Sequence, residues 1–121
     1  MAYDAGLADR IRTILAPTPG VVEQKMFGGI AFMVHGHMCC GVLKTDLVLR
    51  LTPEAAAHAL RQPHTRPMDF TRQPMKSMIY VNAVGTDLDE SLDEWVKTAL
   101  SIARDRPPKA AKRSRRPAPS S

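Results

Sequence analysis

The sequence predicts an α+β fold, with helices packed on one antiparallel sheet in the order helix, three strands, helix, two strands, helix. Three observations lead there. Apolar residues recur at helical spacing near both ends of the 121-residue chain. The strand-like runs between residues 21 and 51 are joined by connections of about three residues, too short for a parallel crossover. Strands and helices also fail to alternate strictly, which argues against a doubly wound parallel sheet. The length suits one domain with a core of its own.

The first helix is expected over residues 3 to 16, where Leu7, Ile11, Ile14 and Leu15 share a face and Asp9, Arg10 and Arg12 take the other. Asp4 is placed to cap it, and Pro17, Pro19 and Gly20 end it. Residues 21 to 34 read as one strand that bends at Gly28-Gly29, because glycine inside a strand marks a bulge or a close backbone approach. His35-Gly36-His37 turns the chain into the run from Met38 to Leu43, and Lys44-Thr45-Asp46 turns it again into Leu47 to Leu51. Thr52-Pro53-Glu54 opens a short helix: a capping hydroxyl, a proline tolerated in the first turn, and an acid at the positive end of the dipole. A short strand near Met68 to Phe70 and a better one from Lys76 to Ala83 follow. The last helix is expected from about Asp87 to Arg104, with Leu88, Leu92, Trp95, Val96, Ala99, Leu100 and Ala103 as its apolar stripe. Pro107-Pro108 stop it.

Net charge is +5, but it is unevenly placed. Residues 104 to 121 hold seven of the 17 basic side chains and one of the 12 acids. The expected division is therefore a nearly neutral domain over residues 1 to 104 and a disordered basic tail over 105 to 121. No apolar run approaches ~18 residues, so no membrane span is expected. Cys39 and Cys40 are adjacent; neighbours on a strand point to opposite faces, so they are expected as free thiols, which favours a reducing, cytoplasmic setting. The N-terminus has no basic-then-apolar leader pattern.

Two marked segments stand out. One is Lys25-Met26-Phe27-Gly28-Gly29; the other runs through Pro67-Met68-Asp69-Phe70-Thr71 to Pro74-Met75-Lys76. They are expected to meet in the fold. With Leu47-Val48-Leu49-Arg50-Leu51, the apolar strand turning at Gly36, and Tyr80-Val81, they resemble the N-terminal domain of the TfoX/Sxy family, named for regulators of competence for DNA uptake. The likeness covers roughly residues 8 to 103. It implies the α+β fold already read from the pattern, and a role as a competence-related or transcription co-regulator acting through a protein partner. It also gives Met26, Phe27, Gly28, Gly29, Pro67, Asp69, Phe70, Pro74 and Met75 as motif residues with a structural role. The longer regulators carry a second, C-terminal domain where this chain has its short basic tail.

Several constellations have residue types suited to chemistry. His35, His37 and Cys39, with Cys40 adjacent, have soft-ligand spacing, but the Gly36 turn breaks their common face and no second ligand pair follows. A cysteine nucleophile would need a base, and no motif fixes His35, His37, His58 or His64 beside one. No catalytic residue, metal or cofactor is therefore assigned. Lys25, Arg50, Arg66, Arg72 and Lys76 form a candidate anion or ligand patch, against the alternative that Asp69 pairs a neighbouring arginine and pins its loop to the Gly28-Gly29 bend. Lys109, Lys112, Arg113, Arg115 and Arg116 are the candidate nucleic-acid contacts: flexible cations give sequence-independent affinity by counterion release. No aromatic residue is interleaved among them, so base stacking is not expected. The expected function is thus a non-enzymatic regulatory or interaction module with non-specific DNA contact through the tail. The rival is a small-ligand binder or enzyme built on the Gly28-Gly29 bend and the loop from 66 to 76, and a third reading is assembly through a strand edge.

Overall fold

A computed structural model describes residues 3–26, 28–68 and 75–106, without the side chains of Met26, Met68, Met75 and Lys76. Three helices, α1 (Ala5–Leu15), α2 (Pro53–Ala59) and α3 (Asp89–Asp105), accompany six strands: β1 (Val21–Met26), β2 (Gly29–Val34), β3 (His37–Leu43), β4 (Asp46–Arg50), β5 (Thr65–Met68) and β6 (Met75–Val81). The strands form one antiparallel sheet in the order β1-β2-β3-β4-β6-β5. The α+β class follows the sequence expectation.

One element differs. Residues 21 to 34 are not a single bent strand but a hairpin, with Val21 opposite Val34 and Met26 opposite Gly29. Only two residues connect the pair, and such loops demand positive φ, which Gly28 supplies at +78°. Gly29 answers a separate need: a Cβ there would run into the Val42 carbonyl oxygen. The glycine pair therefore reverses the chain, and the meander has four strands.

One face of the sheet carries the main core. Leu47 and Leu49 of β4, Ile79 and Val81 of β6, and Phe32 and Val34 of β2 are fully buried with Leu7 and Ile11 of α1 and Leu92, Val96 and Ala99 of α3. The caps formed as the sequence required: Asp4 Oδ1 accepts from the Leu7 amide at 3.1 Å, and Thr52 Oγ1 from the Ala55 amide at 3.0 Å. Arg10 ties α1 to the far side of the core, donating to the Thr86 carbonyl at 2.8 Å and to Asp89 Oδ1 at 2.9 Å. The opposite face has a smaller apolar cluster around Val48 and Tyr80, with Met38, Leu43 and Met78 against it.

The cysteines depart from the alternation rule. The β2–β3 register shifts after Phe32, so that Phe32 faces Cys40 and Met33 faces Met38. Cys39 is the extra residue, and both thiols join the main core, fully buried and free. No helix is long and apolar enough to cross a membrane among the described residues.

Candidate functional site

The described ends of the two marked segments lie apart; the middle of the second, residues 69–74, lies outside the described residues. Met26 and Gly29 close the hairpin beside β3 and β4, at the end of the sheet where β4 begins. Met68 and Met75, which anchor the second segment, pair at the other end and on the other side of β4. These described strand ends mark diagonally opposite corners, because β3 and β4 lie between them and the strand directions send them to opposite ends of the sheet. Phe27, Asp69, Phe70, Arg72 and Pro74 lie outside the described residues, as do Lys109, Lys112, Arg113, Arg115 and Arg116.

Of the five-residue patch, Lys25, Arg50 and Arg66 stand in separate surroundings, while Arg72 and the Lys76 side chain lie outside the described residues. Lys25 sits exposed on the edge strand β1. Arg66 on β5 is fully engaged across the sheet: Nη2 lies 2.7 Å from Asp46 Oδ2 on β4, and its guanidinium stacks 4.4 Å from the centre of the Tyr80 ring on β6. Its acid is Asp46, a partner that sequence spacing gave no means of choosing. Pro67, in the same strand, faces Ile79 across the ladder.

Arg50 stands differently. It ends β4 at the Met68–Met75 end of the sheet, half-buried opposite Met78. None of the ion pairs formed among the described residues includes it. Burial lowers its pKa below the ordinary arginine value, and the nearby charge of Arg106 lowers it further. Arg106 follows α3 directly; its Nη2 donates to the Leu51 carbonyl at 3.3 Å, while its buried Nη1 has no hydrogen-bond partner among the described residues. Lys76 follows Met75 on β6, and the 69–74 connection departs from this same end of the sheet. Sequence reading missed Arg106, assigning it to the tail. The signal that would have found it is its place just after the last helical turn, where the chain must return to the sheet end.

A second feature is a cleft of about 640 Å³ between α2 and the stretch leading into α3. Ala55, His58 and Ala59 line one wall, and Val84, Leu88, Glu94 and Trp95 the other. Val84 and Leu88 are each 65% exposed, the largest exposures among the large apolar side chains with Val22. Asp89, Glu90 and Asp93 follow on the first turns of α3, making the surroundings acidic.

The His-Cys run is dispersed. His35 occupies the turn at φ +54°, His37 is buried at the start of β3, and both cysteines lie in the core. A hydrogen bond with Cys39 and burial push the Cys40 thiol well up, which opposes thiolate chemistry. No group of three potential metal ligands occurs among the described residues.

Comparison with known proteins places these features in a family context. The family model for the TfoX N-terminal domain matches residues 13–103. Among curated proteins, none matches the chain.

Proposed function

The chain belongs to the TfoX N-terminal domain family, and on that premise we propose that it is a cytoplasmic, non-enzymatic co-regulator in competence or transcription control. At family level it is a regulatory or interaction module. In our reading it receives a protein partner in the cleft between α2 and α3 and contacts DNA non-specifically through Lys109, Lys112, Arg113, Arg115 and Arg116.

The observation carrying the partner reading is the pair Val84 and Leu88, held in water at the mouth of a concave, partly apolar cleft with Trp95 in its wall. Exposed apolar surface beside a concavity is the usual signature of an interface. The acids around it call for an apolar anchor flanked by basic residues.

Leu88 offers a clean test, because it is the N-cap of α3 and makes no side-chain capping bond. Leu88→Asp adds a good cap, worth about 1 kcal/mol, while placing a charge in the cleft mouth. Partner capture from native cytoplasm, repeated after nuclease treatment, should yield a nuclease-resistant partner with the wild type and lose it with Leu88→Asp, although the variant melts higher. Equal capture by both proteins sinks the cleft reading. For DNA, replacing the five tail cations by Gln in the full chain should remove retention at low salt and leave the melting temperature unchanged. Undiminished DNA binding by that variant refutes the tail reading.

A further inference from the structure

We propose that β1 is a self-association edge: two copies of the chain pair antiparallel through β1 about a two-fold axis at Gln24, with Glu23 of each copy opposite Lys25 of the other.

The two edges of the sheet are guarded differently. An edge strand offers unpaired amides and carbonyls to any other chain, so folds block it with proline, a bulge or short length. β5 has all three: it is four residues long, contains Pro67, and shifts register between Pro67 and Met68. β1 has none of them. It runs six residues without proline, keeps one register against β2 from Val21 to Met26, and pairs with no described strand on its outer side. Val22, Glu23, Gln24 and Lys25 are all exposed, Val22 to 59%.

The ladder decides which groups point outward. The Ile30 carbonyl oxygen lies so near Gly41 of β3 that a Cβ there would come within 2.5 Å of it, so Ile30 turns its main chain toward β3. Ala31, the next residue, therefore turns toward β1 and its partner Gln24. By the same alternation Val21, Glu23 and Lys25 direct their amides and carbonyls to the free side. A second β1 must bond to these three, which leaves few registers. Glu23 opposite Glu23, or Lys25 opposite Lys25, sets like charges together. Val21 opposite Glu23 overlaps only the first half of the strand. Glu23 opposite Lys25 of the second copy joins opposite charges, twice over by symmetry, with about four main-chain hydrogen bonds.

The charges suit this register. Lys25 joins none of the ion pairs among the described residues. Glu23 already receives Arg12 from α1, and a carboxylate has lone pairs for a further donor. Lysine ordinarily protects an edge strand; here the acid two places before it, on the same face of the strand, turns that protection into a choice of register. Residues 22 to 26 of each copy bury less than a standard interface, so the dimer is weak, with a dissociation constant in the micromolar range.

Sedimentation of the nuclease-treated full chain from about 10 µM to about 1 mM should show monomer passing to dimer. Glu23→Lys and Lys25→Glu should each weaken the dimer at least ~10-fold, because each sets like charges opposite. Mixed together, the two variants should pair as the wild type does, since every facing pair is then of opposite sign. Cysteine trapping reads the register. Gln24→Cys stands at the axis, its Cα about 4.5 Å from that of its copy, and should crosslink under mild oxidation. Val22→Cys, more than about 13 Å from its copy, should not. Cys39 and Cys40, buried and free, stay out of the reaction. If Glu23→Lys disturbs the fold through Arg12, Lys25→Glu and Gln24→Cys still give the answer. Monomer at every concentration without a Gln24→Cys crosslink overturns the edge, and so does a dimer that Lys25→Glu leaves intact or a mixture that stays monomeric. Leu88→Asp should dimerise as the wild type does, so the result is independent of the cleft reading. A dimer lost in Leu88→Asp and kept in Lys25→Glu would place the contact in the cleft and overturn β1.

Discussion

The two ends of the sheet treat charge in opposite ways. Where β4 begins, Asp46 accepts from Arg66, and Arg66 lies over Tyr80, so the charge, its counter-charge and an apolar cover are all supplied by neighbouring strands. Four residues further along the same strand, on the same face, Arg50 is half-buried, and burial followed by the charge of Arg106 lowers its pKa. The first arrangement is complete within the chain; at the second, none of the ion pairs among the described residues includes Arg50. A basic residue in a sequence patch is therefore uninformative until its strand register is known, because register decides whether an acid stands opposite.

The contrast can be broken or sharpened by substitution. The largest effect belongs to the uncharged corner at the sealed end. Gly29→Ala forces a methyl group against the Val42 carbonyl oxygen, and backbone on both sides leaves little room to yield. A loss of about 3 kcal/mol is expected in thermal or denaturant unfolding. Gly28→Ala, strained by φ +78° alone, should lose less, about 1 kcal/mol. Equal losses would mean that the turn, and not the close approach, limits this corner.

Next comes the sealed arginine. Arg66→Ala removes an ion pair and a ring contact together, and about 1 kcal/mol should go with it, since Arg66 remains half exposed while Asp46 is only 16% exposed. A double-mutant cycle with Asp46→Asn reads the coupling directly. Arg50→Met should behave in the opposite sense. It keeps much of the packing of the aliphatic stem, removes a half-buried charge that joins none of the ion pairs among the described residues, and should leave stability unchanged or raise it by up to about 0.5 kcal/mol. A loss as large as that of Arg66→Ala would place Arg50 among the structural charges and dissolve the contrast between the ends.

These differences explain which parts of the molecule were legible in its sequence. Helix caps at Asp4 and Thr52 and the apolar stripe of α3 could be read because they depend on residues three or four apart. The Gly28-Gly29 pair marks a special position in the sequence but does not distinguish a bend from a reversal, since periodicity is the same in one long strand and in a hairpin whose arms stay in register. The bulge that turns Cys39 and Cys40 into the same core leaves no local mark, because it is defined by the partner strand. The described part of the candidate patch shows the same limit. Lys25, Arg50 and Arg66 share a charge, yet the sheet order sends them to three different surroundings, and it adds Arg106 from a helix end 56 positions beyond Arg50.

The smallest predicted effect separates surface pairing from both ends of the sheet. Arg12 on α1 meets Glu23 on β1 through a two-pronged contact, with Arg12 Nη2 2.8 Å from Glu23 Oε1. The hydrogen bond from Arg12 holds the Glu23 carboxyl below its ordinary value of 4.5, against a smaller opposing push from burial. A lowered carboxyl pKa in the folded state means that folding favours the ionised form. The contribution is therefore complete above about pH 4.5, the unfolded value, and is lost as pH falls through the lower folded value. Because both side chains are more than a third exposed, it should not exceed about 1 kcal/mol and should shrink with added salt. Comparing wild type and Glu23→Gln by denaturant unfolding from pH 7 down to pH 3 checks this: the two curves should converge on acidification. A gap that stays constant with pH would show that Glu23 acts through packing on α1 and not through its charge.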